Sequence, residues 1–368
     1  MSNLKATKQN PARGLRSLQV GFVPLIDCAP LVMAQELGLF AKHGLAVTLS
    51  REVGWATLSD KIIYGKLDAA HSLAALPFAA TLGLGSIRCE CLTGLVLNLH
   101  GNAITLSNEL WNRGVRDAKS LKLEIDRERG RRTYTFGVVY SYSSHNFLLR
   151  QWLTNAGINP DKDVRIVVVP PPSMVSNLKS GNLDGYCVGE PWSSVAVNAG
   201  IGWVAATSAQ LSPLHPEKVL MVRRRFADER EGEHLALIAA LYEACNYCDQ
   251  PSNQTRMIEA LAKPQYLNVP AEILRGSMIG PFDFGHGRSE VVPNFTLFHR
   301  YDANEPNNEK AAWILRQLIS TGAIKDRSVS GTDILSKVFR SDIFQQAIQR
   351  STAPTKHEIE SETETVCR

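Results

Sequence analysis

Two well-separated segments of the chain repeat one pattern: an amphipathic run, a glycine, the pair Leu-Asp, and a short stretch of small and apolar residues. Trp55–His71 reads WATLSDKIIYGKLDAAH, and Pro172–Trp192 reads PSMVSNLKSGNLDGYCVGEPW. Apolar residues three to four apart mark a helix, and Gly65 and Gly181 are its left-handed stops. Leu67-Asp68 and Leu183-Asp184 then lead into strands, with the aspartates read as turn residues. A helix feeding a strand once in each half predicts two α/β lobes built alike, an arrangement that suits closure around a small molecule.

The flanking segments extend the prediction. Leu18–Pro24 alternates as a first strand, Asp27–Phe40 reads as a helix, Leu45–Ser50 as a second strand, and Leu67–His71 as a third. That β-α-β-α-β order argues for a parallel sheet with crossover helices. Cys89–Leu99 and Ala103–Leu106 read as strands leading out of the first lobe. A second series follows at Thr135–Val139, Ser144–Asn155, Val164–Val169, Met174–Lys179 and Asp184–Val188. The chain returns near Leu214–Val222. Lobe 1 is therefore expected at 18–106 plus 214–350, lobe 2 at 107–213, and disorder at 1–17 and 351–368. Two crossings between the lobes make a hinge.

The chain's 368 residues suffice for two such lobes, and a hydrophobic content of 44% is ordinary for a globular protein. A net charge of +4 suits a small anion and is weak ground for nucleic acid. No apolar run reaches the ~18 residues of a membrane span. The polar start MSNLKATKQNPARGLRS lacks the apolar core of a secretory signal, so a cytoplasmic location is expected. Seven cysteines show no disulfide spacing; Cys89/Cys91 and Cys245/Cys248 read as structural thiols, since zinc needs further ligands nearby. Arg113–Arg132 reads as a solvated helix and loop. No phosphate loop, HExxH or GxSxG motif is present, so neither an enzyme nor a cofactor or metal is expected.

Several segments resemble the nitrate- and bicarbonate-binding proteins of bacterial ABC importers: SREVGWATLSDK, GKLDAAHSLAALPFAATLGLG, LNLHGNAITLS, SHNFLLRQWL, VVPPPSMVSNLKSGNLDGYCVGEPW and HPEKVL. The resemblance runs from about residue 18 to 250. It implies an α/β two-lobed clamshell of the periplasmic-binding-protein type II kind, with the anion between the lobes. Carried over position by position, it implies ligand contacts at Trp55, Asn102, His145, Gly189 and Lys218. Where family members carry glutamine this chain has Asn102, a side chain shorter by about one 1.5 Å bond.

Nitrate accepts hydrogen bonds and donates none, so its site should be built of donors. Indole, carboxamide, imidazole, backbone N–H and a cation answer that description. His145, behind Ser143-Ser144, would sit in a first helical turn that favours anions. Gly189 would let backbone approach closely, and Lys218 would neutralise the charge. Taken singly, each has an ordinary reading: a core tryptophan, a surface histidine, a solvated lysine, a turn glycine.

Members without a secretory signal resemble a cytoplasmic nitrate/nitrite sensor that sequesters an RNA-binding antiterminator and releases it on binding nitrate. That function is expected here. The alternative is the substrate-binding component of a nitrate, nitrite or bicarbonate importer, or a sensor acting on an importer's ATPase subunit. The clamshell family also includes thiamin-pyrimidine synthases, but their dense cysteine cluster is absent. Bicarbonate would welcome a carboxylate or metal, so the all-donor set favours nitrate, then nitrite.

Overall fold

Both repeated segments fold alike. The helix Trp55–Ile63 stops at Gly65, φ +70°, and the helix Met174–Lys179 at Gly181, φ +73°. Asp68 then accepts the Gln19 N–H at 2.9 Å and returns its own N–H to the Gln19 carbonyl at 2.9 Å. Asp184 does the same with Thr135, at 2.6 and 2.8 Å. The expected turn aspartates thus pin each new strand to the start of its neighbour.

The computed structural model describes residues 17–325 and 332–352. The segments expected to be disordered, 1–17 and 351–368, lie outside the described residues, except Ser17 and the last two residues of the helix Ser341–Thr352. The strands are β1 (Leu18–Phe22), β2 (Val47–Arg51), β3 (Ala69–Leu73), β4 (Cys91–His100), β5 (Asn102–Ser107), β6 (Thr135–Val138), β7 (Arg165–Val168), β8 (Gly185–Gly189), β9 (Gly202–Thr207), β10 (Pro216–Arg223), β11 (Phe282–Gly285), β12 (Arg288–Glu290) and β13 (Thr296–Leu297). They form a six-stranded sheet, β13-β4-β10-β3-β1-β2, a five-stranded sheet, β7-β6-β8-β5-β9, and the hairpin β11-β12. This is the α/β fold of the two-lobed binding proteins.

The sheets share one topology. In each, three parallel strands (β2-β1-β3, β7-β6-β8) meet an antiparallel fourth (β10, β5). A purely parallel sheet was expected; antiparallel β10 enters because the chain returns from lobe 2 beside β4. The expected lobe boundary at 106 also differs from the sheet pairing. Strand β5 lies wholly in the second sheet, so the chain crosses at His100-Gly101, both at positive φ (62° and 98°). It crosses back near Leu214, also at positive φ.

The largest apolar core lies under the first sheet, where the helix Ala29–Glu36 packs on the long helix Glu231–Cys248. Cys245 and Cys248 are buried in it, whereas Cys89 is half-buried. A second core fills lobe 2 around Trp152, Trp203 and Phe136. Part of the stretch expected in lobe 1 reaches lobe 2: Phe282 and Phe284 pack on Ala103 of β5 and Val204 of β9, before β13 returns the chain to the first sheet. In the second sheet Gly185 lies so close to β5 that an added Cβ would sit 2.7 Å from the Thr105 carbonyl oxygen. Gly185→Ala is therefore expected to lower stability by about 1–3 kcal/mol, measured by urea unfolding; an unchanged midpoint would contradict this packing.

Candidate functional site

Trp55, Asn102, His145, Gly189 and Lys218 come together between the lobes, and the four with side chains are each at most 1% exposed. Trp55 opens the helix Trp55–Ile63, and its indole stands 5.4 Å from the Lys218 ammonium. Lys218 lies on β10, which the antiparallel pairing carries into the middle of the first sheet. Across the cleft, Asn102 opens β5 opposite Gly189, the last residue of β8. A Cβ at Gly189 would face Asn102 Oδ1 and Asp27 Oδ2 at 3.4 and 3.5 Å, so glycine keeps that space clear. His145 lies in the first turn of the helix Ser144–Asn155, whose N-cap Ser143 accepts the Asn146 N–H at 3.2 Å.

Two residues that sequence reasoning missed reorganise the chemistry. Glu217 and Asp27 are buried carboxylates beside Lys218, at 2.7 and 2.6 Å from its nitrogen. Glu217 also accepts from the Asn102 amide at 2.6 Å and from the Ser144 hydroxyl, and faces His215 Nε2 at 3.2 Å. Asp27 faces His71 Nε2 at 2.9 Å. The site is thus not the all-donor set expected. Lys218 was expected to neutralise an anion directly, but it already balances two carboxylates. Asn102 was expected to donate to a ligand, yet its N–H₂ goes to Glu217 and its carbonyl oxygen is the unpartnered atom. Glu217 stood next to Lys218 in HPEKVL, and that adjacency was the available signal. Asp27 read as an ordinary helix start.

Electrostatics follow from burial. Burial alone would raise the Asp27 and Glu217 pKa values, but Lys218 and the neighbouring histidines outweigh it and hold both carboxyls below the usual range. Burial alone would lower Lys218, and the same carboxylates hold it above its ordinary value. Burial pushes His145 down to about 4 and also lowers His71. The two ring nitrogens of His215 face the Ser212 carbonyl at 2.8 Å and Glu217 at 3.2 Å.

Against this paired background some buried groups have no hydrogen-bond partner: the Trp55 indole N–H, both ring nitrogens of His145 and the Asn102 carbonyl oxygen. A buried donor left unmade costs about 1–3 kcal/mol, and here Trp55 and His145 come from opposite lobes. Such a set can grip a small polar ligand of a few atoms. Among the described residues no group of three or more His, Cys, Asp or Glu is arranged to hold a metal, and no helix is long and apolar enough to cross a membrane.

Known proteins resemble this chain in sequence and in fold. The model of the NMT1-like family matches residues 12–262. The chain is 40% identical over 334 residues to a nitrate import ATP-binding protein, NrtC, of Synechocystis sp., covering 90% of this chain and 50% of that protein. The chain thus spans about half the length of that relative. It is 32% identical to the nitrate/nitrite binding protein NrtA of Synechococcus elongatus, covering 93% of this chain and 79% of that one. The crystal structure of the periplasmic nitrate-binding protein NrtA from Synechocystis PCC 6803 superposes with a TM-score of 0.87 at 30% identity, covering 92% of this chain and 90% of that one. With matches of that extent, the chain belongs to the NMT1-like family.

Proposed function

We propose that this chain binds nitrate or nitrite between its lobes as the ligand-binding part of a nitrate import system. The observation that carries the reading is the pair of buried groups without a hydrogen-bond partner, Trp55 Nε1 and the His145 ring, whose Nε2 stands 3.7 Å from Glu217, reaching from opposite lobes beside Lys218. An oxyanion there would accept from both lobes at once, so it would favour the closed clamshell by its differential contacts alone. The names of the relatives, nitrate-binding proteins and a nitrate import ATP-binding protein, support this reading over release of an RNA-binding antiterminator. The likeness to half of an ATP-binding protein further supports a module that reports the anion to the importer's ATP-hydrolysing side. On that reading it works in the cytoplasm. Fractionation of cells carrying a tagged chain tests this, and recovery outside the cytoplasm would return it to solute capture.

Calorimetric titration with nitrate, nitrite and bicarbonate tests the ligand. Trp55→Phe keeps the ring packing and removes one N–H, so the affinity for nitrate should fall about 10- to 100-fold, the worth of a hydrogen bond to a charged group. Undiminished affinity in that variant, or no heat with nitrate or nitrite in the parent, would refute the pocket. One observation favours bicarbonate as the second reading: the Glu217 and Asp27 carboxylates could accept the ligand's own O–H. Saturable binding of bicarbonate with none of nitrate would decide for it.

A further inference from the structure

A cavity of about 180 Å³, lined from both lobes, lies next to the anion site. Its walls come from both halves: Met257 from lobe 1, Glu190 from lobe 2, and Ser277, Met278, Phe282 and Phe298 from residues 271–298, a strap that runs from one to the other and back. The strap is fastened to lobe 2 by Ser277, which meets Ser194 at 2.7 Å and Glu190 at 3.1 Å. It is fastened again by His286, stacked on Trp111 at 3.8 Å.

Glu190 is the informative group. It is 2% exposed, one carboxylate oxygen accepts from the Ser194 N–H and the Ser277 hydroxyl, and the other has no partner. Among the described residues no lysine, arginine or histidine forms an ion pair with it, and the nearby Arg300 is bound to Asp249 at 3.0 Å. Buried carboxylates call for a partner of opposite charge or a proton, and burial does push the Glu190 pKa up. The wall is mixed: polar Asp249, Gln254, Asn294 and Thr296 stand beside Met257, Met278 and the phenylalanines, with Phe282 and Phe295 stacked at 4.8 Å, and the aromatic and thioether part favours a cation with a short carbon chain. The volume is that of roughly six waters at ~30 Å³ each.

The cavity is joined to the anion site by two pairs of adjacent residues. Ile26 and Glu190 line the cavity; their neighbours Asp27 and Gly189 line the anion site, and the Ile26 N–H donates to the Glu190 carbonyl at 2.8 Å. We propose that this cavity is a second ligand site that takes a small alkylammonium cation, its ammonium group on Glu190 and Ser277 and its carbon chain against Met257, Phe282 and Phe298, and that occupancy biases lobe closure and so oxyanion affinity. The site stands whether or not the oxyanion is nitrate.

The test is titration of the full chain with n-butylammonium chloride at constant ionic strength, followed by calorimetry, beside n-butanol and n-butyrate. Saturable 1:1 binding at least tenfold tighter than n-butanol is expected, with none for n-butyrate. Glu190→Gln should weaken butylammonium binding tenfold or more. Met278→Trp, which fills the cavity and leaves the carboxylate in place, should abolish it, and serves if Glu190→Gln does not fold. No saturable binding, equal affinity for n-butanol, or an unaffected Glu190→Gln would overturn the site. With butylammonium saturating, the nitrate dissociation constant should shift fivefold or more, and nitrate should shift that of the amine by the same factor. An unchanged nitrate constant overturns the coupling, and the amine titration still decides the site if nitrate itself does not bind.

Discussion

Lys218→Met should lower the thermal midpoint by roughly 10 °C and abolish oxyanion binding. The lysine is wholly buried and meets two buried carboxylates, Asp27 and Glu217, at 2.6 and 2.7 Å. Removing one partner of a buried ion pair leaves uncompensated charge and costs about 3–5 kcal/mol. At roughly 2–4 °C per kcal/mol for chains of a few hundred residues, that is on the order of 10 °C. From sequence alone Lys218 meets only a ligand, and Lys218→Ala is expected to abolish anion binding while leaving the fold intact. The carboxylates reverse that expectation. Calorimetric melting checks it, and the double variant Glu217→Gln/Lys218→Met should recover part of the loss. An unshifted midpoint in Lys218→Met would mean that the triad is not charged.

Stability should fall steeply as pH drops from about 6.5 to 4. Burial pushes His100, His145 and His234 each down to about 4, while in the unfolded chain they take up protons near 6.5. Between those values the unfolded state binds more protons, so acid favours it. The contribution of each neutral histidine is complete above 6.5, is lost through the window, and stays lost below 4. A shift of that size is worth on the order of 3 kcal/mol for one wholly buried group. Asp27 and Glu217, held below the carboxylate range, add a further loss as the pH falls from the ordinary carboxylate range of the unfolded chain toward their lower folded values. Urea midpoints measured from pH 7 to pH 4 test this, and a flat profile would show that these rings are solvated.

The elements legible in sequence were those whose signal is local. Gly65 with Leu67-Asp68, and Gly181 with Leu183-Asp184, announce helix stop and strand start within a few residues, and the structure adds only that both aspartates clamp a neighbouring strand. Strand β5 was given to the wrong sheet because His100-Gly101 interrupts an apolar run with one glycine, and a glycine does not reveal that the chain changes lobes there. The place of β10 was equally hidden: its partners β3 and β4 are more than a hundred residues away in sequence. Trp55, Asn102, His145, Gly189 and Lys218 were found through resemblance, and the structure does gather them. Asp27 and Glu217 escaped because an isolated acidic residue reads as solvated until tertiary contacts bury it. The Glu190 cavity could not be read at all, since its walls come from four stretches separated in sequence.

The chain leaves β4 at His100 and re-enters β10 at Pro216, and those strands lie side by side and antiparallel, with the His100 N–H 3.4 Å from the His215 carbonyl. Topologically, the second lobe is a guest spliced into a host hairpin. A tight reverse turn joining the two stems would excise the guest and leave all six strands of the host sheet in register. Both tethers pass through one narrow neck, and Ser277 and His286 add a further hold on the guest from the host's own chain.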